Sequence, residues 1–123
     1  MFLESFKYIK DAGEIDATQM QYSMLLTIDV KSNPINVNEI QWLKIKAIDT
    51  QSNAVIPHAR VVGEMFSPTG HISDVFEQGF TNSYGEVSYT WRVSDIRGKF
   101  TAKFTAYAEN YVESYVQSCF DVR

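Results

Sequence analysis

Cysteine is nearly absent: Cys119 is the single one. One thiol cannot close an intrachain disulfide or build a Cys-based zinc site. It fits a reducing compartment, and equally a surface protein that does without disulfide staples. Histidine is almost as scarce, His58 and His71 being the two, and no H-x-x-x-H spacing occurs. A metal site on this pair would need carboxylate help, from Glu64 or Asp74. Ser67 and Ser73 lie near His71 in sequence, but no G-x-S-x-G frame is present to make a nucleophile elbow. No stretch approaches the roughly 18 apolar residues of a membrane-spanning helix. The N-terminal "MFLESFKYIKDAGEIDAT" has neither the basic start nor the continuous apolar core of a signal peptide. A basic surplus is missing too. The formal net charge is -4, which argues against displacing counterions from nucleic acid and, more weakly, against anionic lipid. These absences point to a chain without a catalytic centre and without a cofactor.

What the chain does have is aromatic residues and alternation. Seven Tyr, eight Phe and two Trp favour strands, and 123 residues suffice for one domain with its own core. From Gln19 to Val30, residues Met20, Tyr22, Met24, Leu26, Ile28 and Val30 share one face. Later runs repeat the period of two: Leu43, Ile45 and Ala47; Ala59, Val61, Gly63 and Met65; Val87, Tyr89, Trp91 and Val93; Phe100, Ala102, Phe104, Ala106 and Ala108. Val112, Val116, Phe120 and Val122 form the expected last inward set, and "HISDVFEQGF" reads as a weaker, short edge strand. Each run has one apolar and one polar face, and turn-rich segments separate them. Gly85 and Gly98 fall where a turn needs positive φ. No connector is long enough for the crossover helices of a parallel sheet. The reading is an all-β, antiparallel two-sheet immunoglobulin-like sandwich of about seven strands over residues 19–123. Residues 1–18 read as an N-terminal arm or linker that fits a helical stripe and a strand equally.

Three segments carry a family resemblance. "DTQSNAVIPHARV", "GFTNSYGEVSYTWRV" and "RGKFTAKFTAYAENYVESYVQSCFDV" resemble the bacterial immunoglobulin-like domain of the invasin/intimin type, with carboxypeptidase-regulatory-like modules as near relatives. Thr81, Asn82, Gly85 and Val87 stand at the positions of the family's turn phrase, with Asn82 where an acid is common. Gly98, Phe100, Thr101, Ala106, Phe120 and Val122 match its last two strands. The resemblance covers roughly residues 45–122. It implies a non-catalytic module of a larger surface protein, a spacer or adhesion domain, and hence an extracellular or cell-surface location for an excised domain. A complete chain would be cytoplasmic.

The candidate contact residues are Tyr107, Tyr111 and Tyr115. Strand parity puts Tyr107 with Lys99, Thr101, Lys103 and Thr105, and puts Tyr111 and Tyr115 with Glu113, Gln117 and Asp121, all on the wet side. A row of rings on a polar sheet face can anchor a protein partner or neighbouring domain, or stack on a glycan. The competing placement tucks the Tyr111 ring beneath its connector with the hydroxyl on backbone. Trp42 and Tyr84 are further exposed candidates, as is Cys119; Trp91 is expected in the core. Asp11, Glu14, Asp16 and Asp49 are the acids to consider for Ca²⁺, but they are scattered and read as solvated turn acids. A carbohydrate-binding module and an accessory domain of an enzyme are the alternative functions.

Overall fold

A computed structural model describes residues 21–123. The expectations for the arm at 1–18, for the acids Asp11, Glu14 and Asp16, and for Met20 lie outside those residues. Seven strands follow one another: β1 (Met24–Val30), β2 (Ile40–Asp49), β3 (Arg60–Phe66), β4 (Ile72–Phe80), β5 (Glu86–Arg92), β6 (Gly98–Tyr107) and β7 (Ser114–Val122). All sheet pairings are antiparallel. They divide into a three-stranded sheet, β1-β2-β5, and a four-stranded sheet, β4-β3-β6-β7. Among the described residues no helix is long and apolar enough to cross a membrane.

The alternation written in the sequence is the alternation of burial. Met24 and Leu26 on β1, Leu43, Ile45 and Ala47 on β2, and Val61 and Met65 on β3 are buried, as are Phe100, Ala102, Phe104 and Ala106 on β6. The two inner faces meet through aromatic rings. Trp91 of the smaller sheet lies 5.1 Å from Phe100 of the larger, and Tyr89 stacks on Phe104 at 5.1 Å. Phe100, Phe104 and Phe120 are fully buried, each contributing about 1.5–3 kcal/mol in apolar transfer. The small residues between them are the spaces into which they fit. At Gly63 an added Cβ would run into the Phe104 ring, so the glycine in β3 marks where the ring presses against the backbone.

The turns follow their residue chemistry. Asn82 Oδ1 accepts from the Tyr84 and Glu86 amides at 2.8 and 3.1 Å. Gly85, at φ 74, completes that turn, and Gly98 has φ 125 at the start of β6. An amide oxygen therefore does at position 82 what a carboxylate could do. Thr81 is buried and ties two connectors together. Its hydroxyl donates to the Ile56 carbonyl at 2.7 Å and accepts from the Ala59 amide at 2.8 Å.

Two expectations need correction, and two further placements were not anticipated. The edge strand β4 is not short; it runs nine residues. Val112 is not inward but exposed, because its amide is drawn to the Tyr22 carbonyl at 2.9 Å and β7 begins only at Ser114. Gln41, polar in type, is fully buried on the inner side of β2. Its amide group is satisfied locally: it donates to the Ser32 carbonyl at 2.6 Å and accepts from the Ser32 amide at 3.0 Å. Finally, the core draws on connectors as well as strands, since Ile35 and Ile56 are buried.

One feature of the topology sets the direction of the chain. Parallel bridges Tyr22–Tyr111 and Ile35–Val122 lie at the two ends of β1 and β7. The first and last strands thus run side by side in the same direction. Among the described residues, Gln21 and Arg123 therefore lie at opposite ends of the sandwich, about 30 Å apart at 3.3 Å per residue over β7.

Candidate functional site

The three tyrosines expected to form a row are separated by the fold. Tyr107 and Tyr115 do share the outer face of the four-stranded sheet. Thr105 pairs with Tyr115, which makes Tyr107 and Tyr115 diagonal neighbours. Each ring carries a cation: the Arg60 guanidinium lies 4.3 Å from the Tyr107 centroid, and Lys103 Nζ lies 5.0 Å from that of Tyr115. Tyr111 is elsewhere. It lies in the β6–β7 connector and packs against the core beside Tyr22, ring centroids 5.8 Å apart. Its hydroxyl donates to Asp49 Oδ2 at 2.6 Å. The tucked placement is the observed one, with a carboxylate in place of a backbone acceptor.

Asp49 is consequently a structural acid. Its Oδ1 accepts from the Gln51 and Ser52 amides, both at 2.9 Å. The Tyr111 hydroxyl first, and then these two amides, hold the carboxyl down at about 2. The same bond pushes the Tyr111 phenol up from its ordinary value. With its lone pairs engaged in this way, Asp49 closes a turn and links the end of β2 to the β6–β7 connector, 62 residues further on. Tyr89 is also raised, by burial between Phe76 and Phe104, and donates its hydroxyl to the Val61 carbonyl at 2.9 Å.

His58 and His71 fall at opposite ends of β3, His58 before Arg60 and His71 after Phe66. Seven extended residues keep them more than about 20 Å apart. Among the described residues no three His, Cys, Asp or Glu side chains come together. Cys119 is exposed on the outer face beside Thr101, with the sulfur 3.3 Å from the hydroxyl.

A concavity lies on the other sheet. The outer side of β1-β2-β5 carries a groove of about 460 Å³ that runs over the β2 backbone at Leu43 and is walled by Asp29, Lys31, Trp42, Lys44 and Ser88. Register explains the assembly: Lys44 pairs with Asp29 on one side and Ser88 on the other, and Trp42 pairs with Thr90. The Lys31 amide donates to the Trp42 carbonyl at 3.0 Å, which extends the β1–β2 ladder by one step. The indole is 48% exposed, with Lys31 Nζ 5.7 Å from its centroid. A second depression of about 310 Å³ continues across Lys46 and Glu86 and shares Asp29 and Lys44 with the first. Of this trough, only Trp42 is legible in the sequence, as an exposed ring. Lys44 and Ser88 come from other strands than Asp29 and Lys31, and pairing alone brings them together.

No family model matches the chain, and no curated protein matches it. Solved structures do overlay on it. The PmoD soluble domain from Methylocystis sp. ATCC 49242 (Rockwell) superposes with a TM-score of 0.50 at 13% identity, over 81% of this chain and 90% of that one. The alkylpurine DNA glycosylase AlkC from Pseudomonas fluorescens superposes with a TM-score of 0.51 at 16% identity, over 80% of this chain and 30% of that one. Both likenesses concern the fold, a two-sheet β-sandwich.

Proposed function

We infer that the chain is a non-catalytic immunoglobulin-like module that spaces or presents binding surfaces within a larger cell-surface protein. The observation that carries this reading is the run of β1 alongside β7, which brings the chain in at one end of the sandwich and out at the other. Neighbouring domains attached at those ends would line up along the strands, so the module adds length. The resemblance to invasin/intimin-type domains supports the same reading. Chemistry-bearing side chains are dispersed, and the buried polar groups Gln41 and Thr81 are engaged in holding connectors. The accessory-domain alternative draws on the overlay with part of the AlkC chain, at the level of fold alone.

On this reading Tyr107 and Tyr115 form a contact surface for a neighbouring domain or partner protein, and Tyr111 is a strut of the β6–β7 connector. Small-angle scattering from two covalently joined copies tests the spacer role. The maximum dimension should grow by roughly 30 Å or more over one copy, the length of the strands. Two copies folded side by side would overturn it. Tyr107→Ser combined with Tyr115→Ser tests the contact role: self-association or partner binding in the ultracentrifuge should be lost while the melting temperature holds. Unchanged association would count against it.

A further inference from the structure

We propose that the trough on the outer side of β1-β2-β5 is a binding site for an anionic saccharide, with Trp42 as its platform. Four observations lead there. First, an indole 48% exposed on a regular sheet face is a flat apolar surface that folding has left unpacked. Pyranose rings have one C–H-rich face of matching character, and aromatic platforms present such a surface to them. Second, the depression beside the ring, about 460 Å³, is of the size that encloses small ligands. It runs on into the depression at Lys46 and Glu86, so there is room for more than one sugar unit. Along β2 the outward residues Trp42, Lys44 and Lys46 follow at intervals of about 7 Å.

Third, the groups around the ring offer both donors and acceptors. Lys31 and Lys44 donate, Asp29 accepts, and Ser88 does either. Sugar hydroxyls both donate and accept, so a mixed set suits them. An acidic peptide would also meet Asp29 as a like charge and has no C–H-rich ring face to lay on the exposed indole, which is what favours the sugar.

Fourth, this face runs against the charge of the chain. Lys31, Lys44, Lys46 and Arg92 stand with Asp29 and Glu86 on a face with more cations than carboxylates, in a chain of net charge -4. Glu86 is already met by Lys44 at 3.9 Å, and Arg92 donates to the Asn38 carbonyl at 3.0 Å. Among the described residues Lys31 and Lys46 make no ion pair within 4 Å, and they are the cations with which a carboxylate or sulfate on the sugar would pair. Lys31 now rests over the indole at 5.7 Å, a long and exposed cation–π contact that a stacked sugar would replace while the ammonium turns to the anionic group.

The proposal is independent of the spacer role, which rests on the direction of the strands. The test is titration of the full chain with uronate, sialylated and sulfated oligosaccharides, followed by tryptophan fluorescence and backbone amide shifts. Trp91 is buried, so a ligand-induced change in emission reports on Trp42. At least one anionic oligosaccharide should bind, with shifts on β1, β2 and β5. Affinity should fall with added salt. Trp42→Ala should weaken binding by about tenfold or more, and Lys31→Gln by several-fold, at unchanged unfolding midpoints. Four results would overturn the proposal: no binding across the panel at millimolar concentrations; shifts confined to the Tyr107 and Tyr115 face; equal affinity for a neutral oligosaccharide of the same length; or equal affinity for oligoglutamate, which would make the trough an acidic-peptide surface.

Discussion

The two sides of the β1-β2-β5 sheet each present one tryptophan, and the two could hardly be placed more differently. Trp91 on β5 pairs with Gln41, and Trp42 on β2 pairs with Thr90. One register step separates them, yet Trp91 is 6% exposed and Trp42 48%. Trp91 meets Phe100 at 5.1 Å and Phe120 at 6.0 Å across the sandwich. Trp42 meets a lysine and open solvent. Residue type does not decide between these environments; the side of the pleat does. A large ring on the inner side holds two sheets together. On the outer side it contributes little to folding and is free for another use.

Substitution separates the two roles, and the largest effect belongs to the inner ring. Trp91→Ala should destabilise the fold by about 3–5 kcal/mol, read as a lowered urea midpoint. An unchanged midpoint would mean that the sheets do not depend on that contact. The turn preceding β5 is the next test. Gly85 has φ 74, and an added Cβ would stand 2.9 Å from the Ala47 carbonyl oxygen. Gly85→Ala should cost ~1 kcal/mol or more, and a neutral result would show that the strand can be entered by another route.

A smaller and pH-dependent effect is expected at the connector strut. The Asp49 carboxyl is held at about 2, below its ordinary 3.8. A depressed carboxylate stabilises the fold fully above its unfolded value, and that stabilisation is lost as pH falls from about 4 towards 2. Tyr111→Phe removes the largest cause and leaves the amides of Ser52 and Gln51. The variant should therefore lose less stability than the parent over that window, as measured by denaturant midpoints at successive pH values. Parallel acid limbs for both would show that the hydroxyl does not set the Asp49 value. The smallest effect returns to the outer ring: Trp42→Ala should move the unfolding free energy by no more than ~0.5 kcal/mol. A large loss there would make Trp42 a structural residue and remove the contrast with Trp91.

The Tyr111 placement marks the limit of parity as a guide. Counting by twos from Tyr115 assigns Tyr111 to the wet face, but the count holds only while the strand is paired. β7 starts at Ser114. Before it the backbone turns to meet Tyr22, and the ring follows the backbone inwards. Gln41 is the opposite case: parity with Leu43, Ile45 and Ala47 places it inside, and its polar type argues against that. The Ser32 backbone resolves the conflict by satisfying the amide, a partner nine residues away that composition does not reveal.

Local chemistry was enough to determine where most strands lie, the buried sides of β2, β3 and β6, and the turns at Gly85 and Gly98. Period-two alternation and positive φ are properties of neighbouring residues, and the hydrophobic effect acts on them wherever the sheets end up. Tertiary pairing alone decided the rest: which strands share a sheet, Tyr111 on Asp49, and Lys31, Asp29, Lys44 and Ser88 gathered around Trp42. Those groupings depend on register between segments distant in sequence, and register is fixed only when the complete core closes.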